Sequence, residues 1–469
     1  MTSETTLTLP DDVLEWIEKT AGAAIVSADR IPAGATREGW YIDVGECEAP
    51  RQLFLRYSPV ALPERSAFHH LSTEAAVMQA LAGSEVAVPT ILGVHPQREA
   101  VLSERVPGAT WFYRIKDPRE QVRVAQDFMR NLAMQHRLDP HQLGLAELGP
   151  VRTAREHALE RIEGIRWRGT APDGSMDPLL RLSCDWLERN VPDYEGPTVL
   201  VQGDTGPGNF LYTSGRVTAV VDWELSHWGD PMDDIAWVSL RTVQDTFTHL
   251  PDRLAEYAEL SGHAIDERRV WYYRLFAEST MATLYPNDGP TSRRPGEEDD
   301  KEVTRDIGNG IIYRQLHRRL WLEALAAVMD LKLDPPSFPE PVDVPEWHRN
   351  YALVLGSLRT IVPRITDPLA SQWTKGVARM VKYLEDLDAS GRQFLALERE
   401  EISALLGSAD GALPEDLASG RQTLAEASRA GKVSDEDYVT YMWHKVSRDD
   451  YLMRHASGAL HDRTWPPLT

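Results

Sequence analysis

Apolar positions follow two different periods along this chain. Near the amino terminus, Val13, Leu14 and Ile17 recur at helical spacing and predict a short amphipathic helix over residues 11–19. The pattern then alternates over 37–44 and 52–56, as in half-buried strands, with Gly45-Glu46 as the turn between them. A third strand is expected over 102–106, closed by Pro107-Gly108. Beyond residue 118 the period becomes helical. Val124, Ala125, Phe128, Met129, Leu132 and Ala133 mark a helix over 120–136, and further helices read over 154–166 and 177–189. Short apolar runs at 199–201, 210–212 and 217–221 then predict three brief strands separated by turn residues. Helical spacing resumes over 234–242, 252–260, 267–281 and 305–329, with a polar loop at 285–301. The prolines of 333–347 predict an extended linker. After it, helices are expected over 348–362, 368–388, 391–406, 416–430 and 435–456.

Composition narrows what such a chain does. At 469 residues with 42% hydrophobic content it has room for two or three domains with cores of their own. A net charge of −22 argues against a general nucleic-acid surface or an anionic membrane surface. A local basic pocket for a nucleotide or coenzyme A is compatible with it. The two cysteines, Cys47 and Cys184, give neither a disulfide framework nor zinc spacing. With no signal-peptide pattern and no apolar span, a cytoplasmic protein is expected.

The chemistry concentrates in VLVQGDTGPGNFLYTSGRVTAVVDWELSHWGDPMDD, residues 199–234. The first strand ends at Gln202-Gly203-Asp204, the turn 205–208 brings Asn209 back towards Asp204, and the third strand delivers Asp222. Carboxylate and amide oxygens converging in this way suit Mg²⁺, which keeps phosphate oxygens and waters as its other ligands. A further carboxylate can accept the proton of an acceptor hydroxyl. Asp and Asn are also ordinary turn formers. The second acidic cluster at Gly229-Asp230-Pro231 favours the chemical reading.

Here the chain resembles the aminoglycoside phosphotransferase family, which shares the protein-kinase-like fold, and within it the kinase branch associated with acyl-CoA dehydrogenases. The family's H-G-D-x-x-x-x-N motif appears as Gln202 through Asn209, with glutamine in place of histidine, and its G-D-P-x-x-D block as Gly229 through Asp234. The resemblance implies an α+β, bilobal kinase-like fold followed by an all-α domain. Its parts are a β-rich amino-terminal lobe (1–106), a helical lobe carrying the motifs (107–335) and a helical accessory domain (345–469). It implies ATP and Mg²⁺. Asp204 would be catalytic with Gln202 supporting it, and Asn209, Asp222 and Glu224 would serve the metal. Arg56, Glu74, Gly34 and Glu104 would serve the nucleotide. Asp230 and Asp234 would be structural, and Trp111, Tyr113, Tyr273 and Arg274 would line an acceptor pocket. The activity implied is phosphorylation of a hydroxyl on a small metabolite, such as a hydroxyacyl-CoA or a phenolic alcohol. The alternatives are an aminoglycoside phosphotransferase, a nucleotide-binding pseudokinase, or one subunit of a multi-part phosphorylating system. The carboxy-terminal helices are the expected surface for a second copy or a partner subunit.

Overall fold

Alternation along the amino-terminal strands decides which way their side chains face, and so where the first core and the first basic residue lie. The computed structural model describes residues 9–31, 37–62, 66–284, 307–341, 346–407 and 416–469. They form two units: Met1–His157 with Tyr194–Asp266 and Pro466–Thr469, and Ala158–Asp193 with Glu267–Trp465.

The first unit opens with α1 (Asp11–Ala21), β1 (Ile25–Ile31), β2 (Glu38–Val44) and β3 (Arg51–Tyr57), then α2 (Leu71–Leu81), β4 (Ile91–Val94) and β5 (Ala100–Glu104). The strands make one antiparallel sheet in the order β1-β2-β3-β5-β4. Alternation puts Trp40, Ile42 and Val44 of β2 with Leu53, Leu55 and Tyr57 of β3 on one face, where Val13 and Ile17 of α1 cover them. Arg56 therefore points to the other face. Its register partner Val101 packs there with Leu71 and Ala75 of α2. β1 and β4 are absent from the sequence reading. Polar Ser27, Asp29 and Arg30 interrupt β1, and β4 has only four residues.

Next, α3 (Pro118–His136) starts at Asp117, whose side chain accepts from Arg119 N at 3.0 Å, with Pro118 in the first turn. α4 (Ala154–Gly169) and α5 (Pro178–Arg189) follow, belonging to the second unit from residue 158. Back in the first unit, β6 (Val199–Val201) pairs antiparallel with β9 (His227–Gly229), and β7 (Phe210–Thr213) pairs with β8 (Arg216–Val220). The β6–β9 ladder brackets the motif segment. α6 (Pro231–Gln244) starts where Asp230 accepts from Met232 N at 2.8 Å, and α7 (Leu250–Ser261) packs on α3.

The second unit adds α8 (Glu267–Leu284), α9 (Ile307–Met329), α10 (Arg349–Ile361), α11 (Pro368–Gly407), α12 (Leu417–Arg429) and α13 (Asp435–Ser457). α9 packs on α8, α11 and α13, with Ile312 against Met453 and Ala456. α8 and α9, assigned from sequence to the segment 107–335, thus group with α10–α13. The two helices expected over 368–388 and 391–406 are one helix of 40 residues. Ala389-Ser390-Gly391 reads as a break, yet Asp386, Ser390, Phe394, Glu398 and Ile402 lie four apart on one buried face. Its acids are satisfied by neighbours: Asp386 by Arg454 at 2.8 Å, and Glu398 by Arg421 at 2.6 Å and the Tyr441 hydroxyl at 2.9 Å. Polar residues on the inner face hide the helix from a reading based on apolar periodicity.

Candidate active site

The catalytic-motif loop is built by pairing at both of its ends. β6 delivers Gln202, and the β7–β8 hairpin delivers Asn209 and Asp222 side by side, because Val221 N donates to Asn209 O at 3.0 Å. Asn209 Nδ2 donates to Asp204 Oδ2 at 2.7 Å and to Asp204 O at 2.8 Å. The Gln202 amide donates to Val221 O at 2.6 Å, tying the start of the motif to the residue before Asp222. Gln202 thus makes a supporting bond, and its Oε1 is buried with no hydrogen-bond partner. Asp222 itself has φ 67°. That left-handed backbone is costly for a residue with a Cβ and turns its carboxylate out of the line of β8.

Opposite this loop lies a ring of ion pairs. Arg56 Nη1 meets Glu74 Oε1 at 2.7 Å, and its Nη2 meets Asp222 Oδ1 at 2.6 Å and Glu224 Oε2 at 3.0 Å. Arg37, absent from the sequence reading, is a second buried cation. Its Nη1 lies 3.0 Å from Glu74 and 3.3 Å from Glu224, and its other Nη donates to His69 O. Two guanidinium groups therefore face three carboxylates, whose acidities are set first by burial and then by these charges. Burial pushes Glu224 up to about 8, with the Asp222 charge adding to it. Burial also raises Glu74, against the pull of Arg56. Burial opposes ionisation of Asp222 too, but the Arg56 guanidinium outweighs it and holds that carboxyl below its usual value.

Beneath the loop, Asp234 is fully buried and acts as a hub. It accepts from Gln202 N at 3.0 Å, Gly203 N at 3.0 Å, the Thr205 hydroxyl and Gln135 Nε2 at 3.1 Å, and it meets His136 Nε2 at 3.0 Å. The structural reading of Asp230 and Asp234 matches this geometry.

Some expected site residues sit elsewhere. Glu224 is ion-paired to Arg37 and Arg56, sharing Arg56 with Asp222. Glu104 turns its carboxylate to Arg51, 3.0 Å from Nε, and gives its N–H to Thr90 O at 2.9 Å, so neither group is presented to a nucleotide. Gly34 and the loop 285–301 lie outside the described residues. Trp111 and Tyr113 are exposed neighbours with ring centroids 5.9 Å apart. Tyr273 and Arg274 belong to the second unit and are buried there, the guanidinium 4.2 Å from the Trp271 ring and 4.8 Å from the Trp465 ring. Burial explains why they are poor candidates for an acceptor surface.

The oxygens that could hold a metal here are those of Asn209 and Asp222. Among the described residues no group of three His, Cys, Asp or Glu forms a cation site. Mg²⁺ does not require one, since it binds through one or two protein oxygens plus phosphates and water. An amide oxygen and a carboxylate from neighbouring positions across one hairpin are of the right chemistry for that ion, although Asn209 Oδ1 here accepts from Arg241 Nη2 at 2.6 Å and Asp222 Oδ1 meets Arg56 Nη2 at 2.6 Å. No helix among the described residues is long and apolar enough to cross a membrane.

The antiparallel sheet, the helical remainder and the loop that brings Asp204 and Asn209 together form a kinase-like fold. A model of the phosphotransferase enzyme family matches residues 28–271, more than half of the chain, and the chain belongs to that family. Acyl-CoA dehydrogenase family member 11 of Rattus norvegicus is 33% identical over 125 residues, 26% of this chain and 16% of the relative. Family member 10 of Mus musculus is 28% identical over 255 residues, 50% of this chain and 22% of the relative. The chain thus spans less than a quarter of these curated relatives. Among solved structures, the macrolide 2′-phosphotransferase of Brachybacterium faecium is 20% identical with a TM-score of 0.43, the match covering 62% of this chain and all of that one.

Proposed function

We propose that this chain phosphorylates a hydroxyl group of a small metabolite, with a hydroxyacyl-CoA or an aromatic alcohol as the acceptor class and the cytoplasm as its site of action. The observation that carries the role assignment is the convergence of Asp204, Asn209 and Asp222 through the 2.7 Å Asn209–Asp204 bond and the 3.0 Å Val221–Asn209 bond. Asp204 orients the hydroxyl and takes its proton as the acceptor oxygen bonds to the γ-phosphorus. The bond from that phosphorus to the β,γ-bridging oxygen breaks, and its electron pair leaves on ADP. Asn209 and Asp222 are the residues that would hold Mg²⁺, which neutralises phosphate charge when bound. Arg56, fixed by Glu74, would clamp the α- and β-phosphates. Two lines support the acceptor class: the names of the acyl-CoA dehydrogenase relatives, and the exposed pair Trp111 and Tyr113. The bond from Gln202 to Val221 supports an active enzyme over a pseudokinase, since glutamine here makes the supporting contact that holds the loop.

The test is ATP consumption with Mg²⁺ against pooled hydroxyacyl-CoAs, phenols, sugars and aminoglycosides. Acceptor-dependent turnover is expected, and Asp204→Asn is expected to lower it by about 10²–10⁴-fold while ATP still binds. Equal turnover in the variant would remove Asp204 from the chemistry, and turnover confined to aminoglycosides would overturn the acceptor class.

A further inference from the structure

The loop between Asp204 and Asn209, Thr205-Gly206-Pro207-Gly208, carries no charged side chain of its own. A cation reaches it from the last turn of α6. Arg241 Nη2 donates to Asn209 Oδ1 at 2.6 Å, its Nε lies 3.5 Å from Asp204 Oδ1, and its Nη1 donates to Gln244 Oε1 at 3.0 Å. One guanidinium therefore spans both functional side chains of the loop. The loop is also shaped around it. A Cβ added at Gly206 would sit 2.6 Å from Arg241 Cβ, and one added at Gly208 would sit 2.8 Å from Arg241 Nη2. Both glycines have positive φ, 143° and 98°. A methyl group at either would be strained by its backbone and would strike the arginine as well. Close approach of this kind is not needed for an exposed arginine that merely caps a helix end. The Asp204 and Arg241 side chains are about one-fifth exposed, 22% and 19%, so water screens the pair only in part.

Resting on the role proposed above for Asp204 and Asn209, we infer that Arg241 is a positioning residue of the phosphotransfer site. Its guanidinium holds Asn209 by a hydrogen bond and lies beside the Asp204 carboxylate, so it fixes Asn209, which in turn donates to Asp204, and keeps Asp204 directed at the acceptor hydroxyl. Its charge balances the Asp204 carboxylate beside the incoming phosphates. Lysine supplies the charge without the fork, and glutamine supplies one hydrogen bond without the charge, so the three side chains separate the two contributions.

The experiment compares full-length wild type with Arg241→Ala, Arg241→Gln, Arg241→Lys and Asp204→Asn. Three quantities are read: Mg²⁺-dependent ATP hydrolysis with water as acceptor, ATP binding by calorimetry, and the melting temperature. Arg241→Ala is expected to lower kcat about 100-fold, the cost of a catalytic group displaced by about 1 Å. Its ATP dissociation constant should stay within about threefold of wild type and its melting temperature should not change. Lysine should recover part of the lost kcat, and glutamine should recover less. Turnover in Arg241→Ala within about threefold of wild type would overturn the inference. So would a loss matched by weaker ATP binding or by melting, which would make Arg241 an ordinary structural contact. If Arg241→Ala does not fold, the Lys and Gln variants carry the comparison, and equal kcat in both at the wild-type level overturns the inference. The two readings fail differently. An active Asp204→Asn variant removes the proposed function and this inference with it. An inactive Asp204→Asn beside an active Arg241→Ala removes only the inference.

Discussion

Glu74 anchors both arginines of the ion-pair ring, with one carboxylate oxygen on Arg56 at 2.7 Å and the other on Arg37 at 3.0 Å. Replacing it by alanine removes a shared partner of two buried guanidinium groups, leaving Asp222 and Glu224 on Arg56, and Glu224 and the His69 carbonyl on Arg37. Removing one partner of a buried charge network costs about 3–5 kcal/mol. Glu74→Ala is therefore expected to lower the unfolding free energy by that amount, measured by urea denaturation. It should also raise the KM for ATP, because Arg56 loses the contact that sets its direction. A variant with wild-type stability would show that the remaining carboxylates suffice. Asp204, Asn209 and Asp222 stand out in the sequence because they fall in one short segment with local spacing, and Glu74 because the family resemblance pairs it with Arg56, a pair the structure forms. Arg37 and Arg241 do not stand out. Their partners lie far along the chain, brought close by the sheet and by the start of α6, and no local pattern marks either arginine. The pairings of Glu104 with Arg51, and of Asp222 and Glu224 with Arg56, were hidden for the related reason that a sequence shows a carboxylate but not the arginine beside it.

Between elements, Asp234 does what the Glu74 pair does between residues. It stands in the first turn of α6, accepts from the loop that leaves β6, and meets Gln135 and His136 at the end of α3. Three elements thus share one buried carboxylate. Asp234→Ala strands the Gln202 and Gly203 N–H groups without an acceptor, each at about 1–3 kcal/mol, and is expected to destabilise the protein by several kcal/mol and abolish turnover together. Urea unfolding of the variant measures the first effect. Full stability with lost activity would instead place Asp234 in the chemistry. Element types followed the period of the apolar pattern where that pattern was clean, as in β2, β3 and α3. Expectation failed where polar residues point inward, as along α11, or where a strand is too short to show a period, as in β4 and β9. The inward acids of α11 gain their partners only from α12 and α13, and apolar periodicity cannot anticipate that.

For the whole chain, the question is whether residues 345–469 form a separable accessory domain, as the proline-rich stretch suggested, or part of the helical unit. Within that unit α9 depends on them. Its Ile312 packs on Met453 and Ala456 of α13, Gln315 Nε2 donates to Val446 O at 2.9 Å, Arg319 donates to Arg463 O at 2.7 Å, and Leu320 O accepts from Trp465 Nε1 at 3.1 Å. A chain ended at residue 335 would expose that apolar row and leave Gln315 and Arg319 without these acceptors, at about 25 cal/mol for each Å² of apolar surface returned to water. Such a chain is expected to be poorly soluble, or to keep helical far-UV circular dichroism while losing near-UV signal and binding a hydrophobic dye. ATP affinity should fall with the loss of order. A soluble truncated chain that melts cooperatively and binds ATP as the full chain does would instead establish 345–469 as a true accessory domain, and the proline-rich stretch as its linker.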